Sequence, residues 1–126
     1  VKFREWYRPF APVCMLNESN TYFHKVFESH YMSFAPKVKE EYHEKLKAIT
    51  HIDETSRLQT VSKVNGHKVF TEILEELKSR NEIPVILNTS FNIRGFPILT
   101  TIEDALHVLD NTELDHVVIE GYLFSK

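Results

Sequence analysis

The run Pro84-Val85-Ile86-Leu87-Asn88-Thr89-Ser90-Phe91-Asn92-Ile93-Arg94-Gly95 sets an apolar stretch directly before amides, hydroxyls and a guanidinium. Amides and hydroxyls donate and accept without net charge, and an arginine fork matches phosphate bidentately. Such a set suits the holding of an anionic ligand. Ligands in open α/β sheets gather just beyond the carboxyl ends of strands, which makes Asn88, Thr89, Ser90, Asn92 and Arg94 candidate contacts. The same residue types also build ordinary polar turns.

Two more segments carry similar chemistry. The chain opens Lys2-Phe3-Arg4-Glu5-Trp6-Tyr7-Arg8-Pro9-Phe10-Ala11-Pro12, with cations interleaved among aromatics. In extended geometry Lys2, Arg4 and Trp6 share a face, and paired cations on one face can grip a polyanion. A solvated basic stretch beside an aromatic anchor has the same pattern. Farther on, Arg57-Leu58-Gln59-Thr60-Val61 alternates so that a strand would show Arg57 and Gln59 on one face and Leu58 on the other. A cation beside an amide suits a ligand, and equally a polar stripe facing solvent. His51-x-Asp53 precedes it; extended geometry would bring this pair together, in a place near Arg57.

These segments resemble the C-terminal domain of the O-carbamoyltransferase family, whose members decorate nodulation factors and tailor antibiotics. The resemblance rests on Lys2-x-Arg4-Glu5-Trp6-x-Arg8-Pro9-Phe10-Ala11-Pro12, Thr50-His51-Ile52-Asp53, Ser56-Arg57-Leu58-Gln59-Thr60-Val61 and Asn88-Thr89-Ser90-Phe91-Asn92, with Tyr31-Met32 and Asp104-Ala105-Leu106 besides. The Ser90-x-Asn92 and Lys2-x-Arg4 elements also resemble the YrdC-type threonylcarbamoyl-adenylate synthase fold, regarded as a relative of that domain.

The resemblance implies that residues 1–126 are one domain, part of a two-site enzyme whose N-terminal domain is of the actin-like ATPase type. Carbamoyl phosphate and ATP would form carbamoyl adenylate here, releasing phosphate and pyrophosphate. The missing N-terminal domain would pass the carbamoyl group to a hydroxyl acceptor, so the fragment alone would not complete transfer. Lys2, Arg4, Arg57 and Ser90 are the expected catalytic residues. Arg8, His51, Asp53, Gln59, Asn88, Asn92 and Arg94 are the expected substrate and nucleotide contacts, with Lys2, Arg4 and Arg8 on phosphate. ATP is expected with Mg2+ carried on it, and no metal site of the protein's own.

Two departures from the family stand out. The family usually reads Arg-Gly-Glu-Pro-Ile where this chain has Arg94-Gly95-Phe96-Pro97-Ile98, an aromatic in place of a carboxylate. It also carries a Gly- and Arg-containing segment before the Lys-x-Arg run, which suggests an excised fragment. The alternatives are a non-catalytic nucleotide- or phosphate-binding module, and an interdomain interaction module using Trp6, Tyr7 and Phe10.

The residue types fit the activation chemistry. Two anionic substrates repel each other, and joining them asks for positive charge and positioning more than for a protein nucleophile. None of the three glycines, Gly66, Gly95 and Gly121, belongs to a phosphate-cradling motif, so side chains would hold the phosphates. The seven histidines lack metal-ligand spacing apart from His51-x-Asp53.

Composition narrows the class. With 126 residues and 42% hydrophobics the chain can build one core. A net charge of −3 gives no global field for nucleic acid, so no nucleic-acid partner is expected. Lone Cys14 excludes an internal disulfide, favours a reducing compartment and reads as an inert core residue. No apolar run is long enough to span a membrane, and a cytoplasmic location is expected.

The elements that must position these residues follow from periodicity. Phe10 to Leu16 reads as a strand, Ser19 to Phe27 as a helix, and Tyr31 to Val38 as extended chain. Lys39 to Lys47 reads as a charged loop with a short helix or lid. Arg57 to Val61 is a strand. His67 to Arg80 is the clearest helix, with Val69, Phe70, Ile73, Leu74 and Leu77 as its apolar stripe. Val85 to Leu87 is a continuous apolar strand suited to burial on both faces. Thr101 caps a helix with Asp104 reaching back and with Ile102, Ala105, Leu106 and Leu109 buried. His116 to Leu123 is the last strand. The alternation after residue 56 predicts an α/β (α+β) fold, a twisted, mainly mixed sheet with flanking helices, and the resemblance makes it YrdC-like.

Overall fold

The computed structural model describes residues 7–64, 68–93 and 95–126. The described residues form a mixed α+β fold with a three-stranded sheet, a two-stranded sheet and three helices. It divides into two compact units, one up to Thr89 and one from Ser90 to Lys126.

The first unit is built on β1 (Ala11–Met15), fully buried along its length. It is flanked by β2 (Gln59–Val61) and β3 (Val85–Asn88), in the order β2-β1-β3. β2 runs parallel to β1 with Val13 opposite Gln59, and β3 runs antiparallel with Ala11 opposite Asn88. The sheet is therefore mixed. Pro12, buried in the central strand, lies before the β2 pairing begins at Val13, so its missing N–H falls where β1 has a single neighbour.

Alternation along β1 splits the core in two. Val13 and Met15 pack with Val61, Ile86, Phe70 and Leu74, the last two from α2 (Lys68–Ser79). Cys14 faces the opposite way into Tyr22, Phe23, Val38, Leu46, Ile49 and Leu58. That second layer is mostly irregular chain held by isolated bridges, Phe23 to Val38, Phe34 to Leu58 and Lys37 to Thr55.

Several elements differ from their periodicity. α1 (Leu16–Tyr22) starts straight after β1 and stops well before Phe27. Phe23 leaves it in extended conformation and bridges to Val38, so tertiary pairing ends the helix. The charged stretch, by contrast, is the expected loop with one short helix, the 3₁₀ turn Glu40–Tyr42. α2 buries Thr71 and Leu74, while Val69 and Ile73 are exposed, so the buried stripe is narrower than the apolar pattern. β3 is an edge strand of the described sheet with Leu87 half exposed, not a strand buried on both faces.

In the second unit, α3 (Ile102–Asn111) starts as expected: Asp104 N–H donates to Thr101 Oγ1 at 3.1 Å. Its buried residues are Ala105, Val108 and Leu109, and Ile102 is exposed. The final apolar run is a hairpin rather than one strand. β4 (His116–Ile119) pairs antiparallel with β5 (Tyr122–Ser125). Glu120 and Gly121 form the two-residue turn with φ of 50° and 84°, the positive pair that a tight hairpin of this length favours.

Candidate functional site

Two motif segments meet at one end of the first unit's sheet. Gln59 opposite Val13 and Asn88 opposite Ala11 lie on the same face, on strands either side of β1. Two strand spacings, about 9.6 Å, separate those backbones. The amides span it: Asn88 Nδ2 donates to Gln59 Oε1 at 2.7 Å. The small side chain of Ala11 sits between them on that face and leaves the path open. Gln59 is buried, so a lost partner would leave a desolvated amide.

Arg57 stands two residues before Gln59 and outside β2. Alternation predicted a shared face, but Gln59 is buried and Arg57 is exposed, because regular pairing begins only at Gln59. Its Nη2 lies 3.9 Å from Met32 Sδ, a weak acceptor. Among the described residues Arg57 forms no ion pair, so its guanidinium charge is not neutralised by a carboxylate. Arg8 is likewise exposed.

His51 and Asp53 are not extended neighbours. They belong to a tight turn in which His51 N–H donates to Thr55 O at 2.8 Å and Glu54 takes φ of 68°. Asp53 Oδ1 accepts from Thr55 Oγ1 at 2.7 Å and from Thr55 N–H at 3.1 Å. His51 Nδ1 lies 2.9 Å from the same Thr55 hydroxyl. A hydroxyl has one proton, and an ionised carboxylate only accepts, so the Thr55 proton goes to Asp53. His51 Nδ1 must then donate, which assigns the neutral ring its Nδ1–H tautomer. Hydrogen bonds from Thr55, first its hydroxyl and then its backbone N–H, hold the Asp53 carboxyl below the ordinary carboxylate value. Thr55 is the member that pattern reading left out. Asp53-x-Thr55, a spacing typical of side-chain-closed turns, was the available signal.

Just past the turn, Ser56 is fully buried and its Oγ donates to Ile49 O at 2.7 Å. This bond and the His51–Thr55 pairing staple the loop from which Arg57 projects.

The Ser90-x-Asn92 element lies in the second unit. Ser90 Oγ donates to Asn92 Oδ1 at 2.7 Å, and Asn92 Nδ2 donates to Phe96 O at 2.9 Å. The turn is completed by Phe96 N–H to Ile93 O at 3.1 Å and by Gly95 at φ of 85°. Position 96 thus holds Asn92 through its backbone, while the Phe96 side chain is exposed. Lys2, Arg4 and Arg94 lie outside the described residues.

Cys14 is fully buried, and burial pushes its thiol up to about 12, which makes it a core residue without nucleophilic character. Among the described residues no three His, Cys, Asp or Glu side chains converge as a metal centre. Among them, too, no helix is long and apolar enough to cross a membrane.

Comparison with known proteins places these motifs. The family described as carbamoyltransferase C-terminus matches residues 1–126. The chain belongs to that family. Nodulation protein NolNO of Sinorhizobium fredii is 39% identical over 129 residues, covering 100% of this chain and 19% of the relative. Nodulation protein NolO of Bradyrhizobium diazoefficiens is 36% identical over all of this chain and 23% of its own length. Nodulation protein U of Rhizobium tropici is 37% identical, again over 100% of this chain and 21% of the relative. This carbamoyltransferase C-terminus therefore spans about a fifth of the curated relatives it matches.

Proposed function

We propose that this carbamoyltransferase C-terminus joins carbamoyl phosphate and ATP into carbamoyl adenylate, for transfer to a hydroxyl acceptor bound by an N-terminal domain of the same protein. The observation that carries the reading is the convergence of Gln59 and Asn88 at the sheet end, two residues in sequence from Arg57, which forms no ion pair among the described residues. That two motifs far apart in the chain are joined by a hydrogen bond supports a shared binding wall.

The chemistry balances without a covalent enzyme intermediate. Carbamoyl phosphate gives up its phosphoryl group to water, leaving carbamate and phosphate. A carbamate oxygen then attacks the α-phosphorus of ATP; an O–P bond forms and the bond to pyrophosphate breaks. The acceptor hydroxyl later attacks the carbamoyl carbon and releases AMP. In this scheme Arg57, with Lys2, Arg4 and Ser90, stabilises charge on the reacting phosphates. Arg8, His51, Asp53, Gln59, Asn88, Asn92 and Arg94 position the substrates. Magnesium arriving on the triphosphate would supply positive charge to the phosphates and would ask for no cage of protein ligands. A buried thiol with no disulfide partner in the chain supports a reducing, cytoplasmic setting.

The test is carbamoyl-phosphate-dependent exchange of labelled pyrophosphate into ATP by the full-length protein. Exchange that Arg57→Ala lowers by about a hundredfold or more supports the assignment. ATP binding with no exchange supports the second reading, a non-catalytic nucleotide-binding module. The exposed Phe96 in the place of the family's carboxylate is the observation that favours it. The Phe96 carbonyl weighs against it, since it anchors Asn92 whatever side chain stands there.

A further inference from the structure

The first unit contains a groove of about 560 Å³ that shares Leu58 with one motif and none of the candidate site residues. That volume is within the range of small-molecule sites, about 300–1,000 Å³. Leu58 forms its buried floor, and Phe27 and Phe34 line it with ring centroids 6.1 Å apart. Both rings are more than half exposed, Phe27 at 67% and Phe34 at 52%. Two phenyl rings left open to water over an apolar floor are costly unless something covers them.

The cations that line the groove are Lys25 and Lys37, and no carboxylate lines it. Lys37 is paired with Glu54 at 3.1 Å outside the lining. Lys25 forms no ion pair among the described residues, and its backbone is held at φ of 49°, a conformation an L residue rarely takes. None of Arg57, Gln59 or Asn88 lines the groove.

We infer that this groove is a binding site for a small organic anion built on an apolar ring. The ring lies on Phe27, Phe34 and Leu58, and the carboxylate or phosphate meets Lys25. The assignment does not depend on the activation chemistry proposed above. A nucleotide and a separate aromatic effector share this ligand chemistry.

The test uses the full-length protein and 1-naphthyl phosphate, with binding followed by calorimetry. Saturable binding is expected, with 1-naphthol and inorganic phosphate each about tenfold weaker or worse, since each lacks one half of the recognition. Phe34→Ser and Lys25→Ala are expected to weaken the phosphate probe by about fivefold to tenfold while leaving the circular dichroism unchanged, and Lys47→Ala, exposed and outside the lining, to leave its affinity unchanged. Displacement of the probe by ATP would identify the ring as a nucleotide base; no displacement would identify a separate anion. Either result supports the site. Absence of saturable binding, 1-naphthol binding as tightly as the phosphate, or Lys25→Ala weakening the probe no more than Lys47→Ala would overturn it. Failure of pyrophosphate exchange would leave it untouched.

Discussion

Asn88 Nδ2 donates to Gln59 Oε1 at 2.7 Å across the central strand, tying the last residue of β3 to the first of β2. The two residues are 29 positions apart in sequence. Removing either amide strands the other at a sheet end where Gln59 is buried. Asn88→Ala and Gln59→Ala are each expected to cost about 1–2 kcal/mol in urea unfolding. The double variant should cost less than the sum, because the second deletion removes the stranded group. Full additivity would show that the pair does not act as a unit.

The Thr55 hydroxyl links His51 and Asp53, which makes an acid-side prediction. Asp53 is held below its ordinary value mainly by that hydroxyl. A carboxylate whose folded pKa is lowered contributes stability above its unfolded pKa and loses it as pH falls through the folded one. Thr55→Val should therefore move the Asp53 carboxyl-carbon NMR titration upward, toward 3.8. An unchanged midpoint would mean that the hydroxyl is not the cause. Thr55→Ser should keep the low midpoint.

Cys14 gives the opposite sign at the basic end. Its thiol is pushed up to about 12 by burial, against an ordinary 9.0. The folded chain keeps the neutral thiol while the unfolded chain ionises, so stability from this group falls as pH climbs from about 9 to about 12. At pH 8 the folded protein should not react with a disulfide reagent, and unfolding should release one reactive thiol per chain. Rapid labelling without unfolding would contradict its burial.

The β4–β5 hairpin depends on its turn. Gly121 sits at φ of 84° and Glu120 at φ of 50°. Gly121→Ala should destabilise the protein by about 1 kcal/mol, through backbone conformation alone, since an added methyl meets no atom within 4 Å. Glu120→Asn should stabilise it by a few tenths of a kcal/mol, because asparagine tolerates the left-handed region. Thermal melts of the two variants that move in the same direction would refute the turn assignment.

Much of this protein was already written in residue order. The apolar run Val13-Cys14-Met15, the helix signal around Leu74, the Thr101 cap and the mixed α+β class depend on local pattern, and the structure reproduces them. The family, too, was legible in its four motifs, because they are short local runs in a fixed order, readable without the fold.

Other features depended on contacts that no local pattern encodes. Phe23 belongs to a helical pattern, yet it ends α1 because its backbone pairs with Val38. Val69 and Ile73 look buried by spacing, yet only the part of the α2 stripe that meets Val13, Met15 and Val61 is covered. Among the described residues the apolar β3 fell at an edge, because antiparallel pairing used its β1 side alone. His51 and Asp53 meet through Thr55 in a turn, and Asn88 finds Gln59 across a strand, because side-chain hydrogen bonds follow spatial proximity rather than sequence distance. Residue type set which chemistry was available, and tertiary packing decided which groups stand together and which charges remain open.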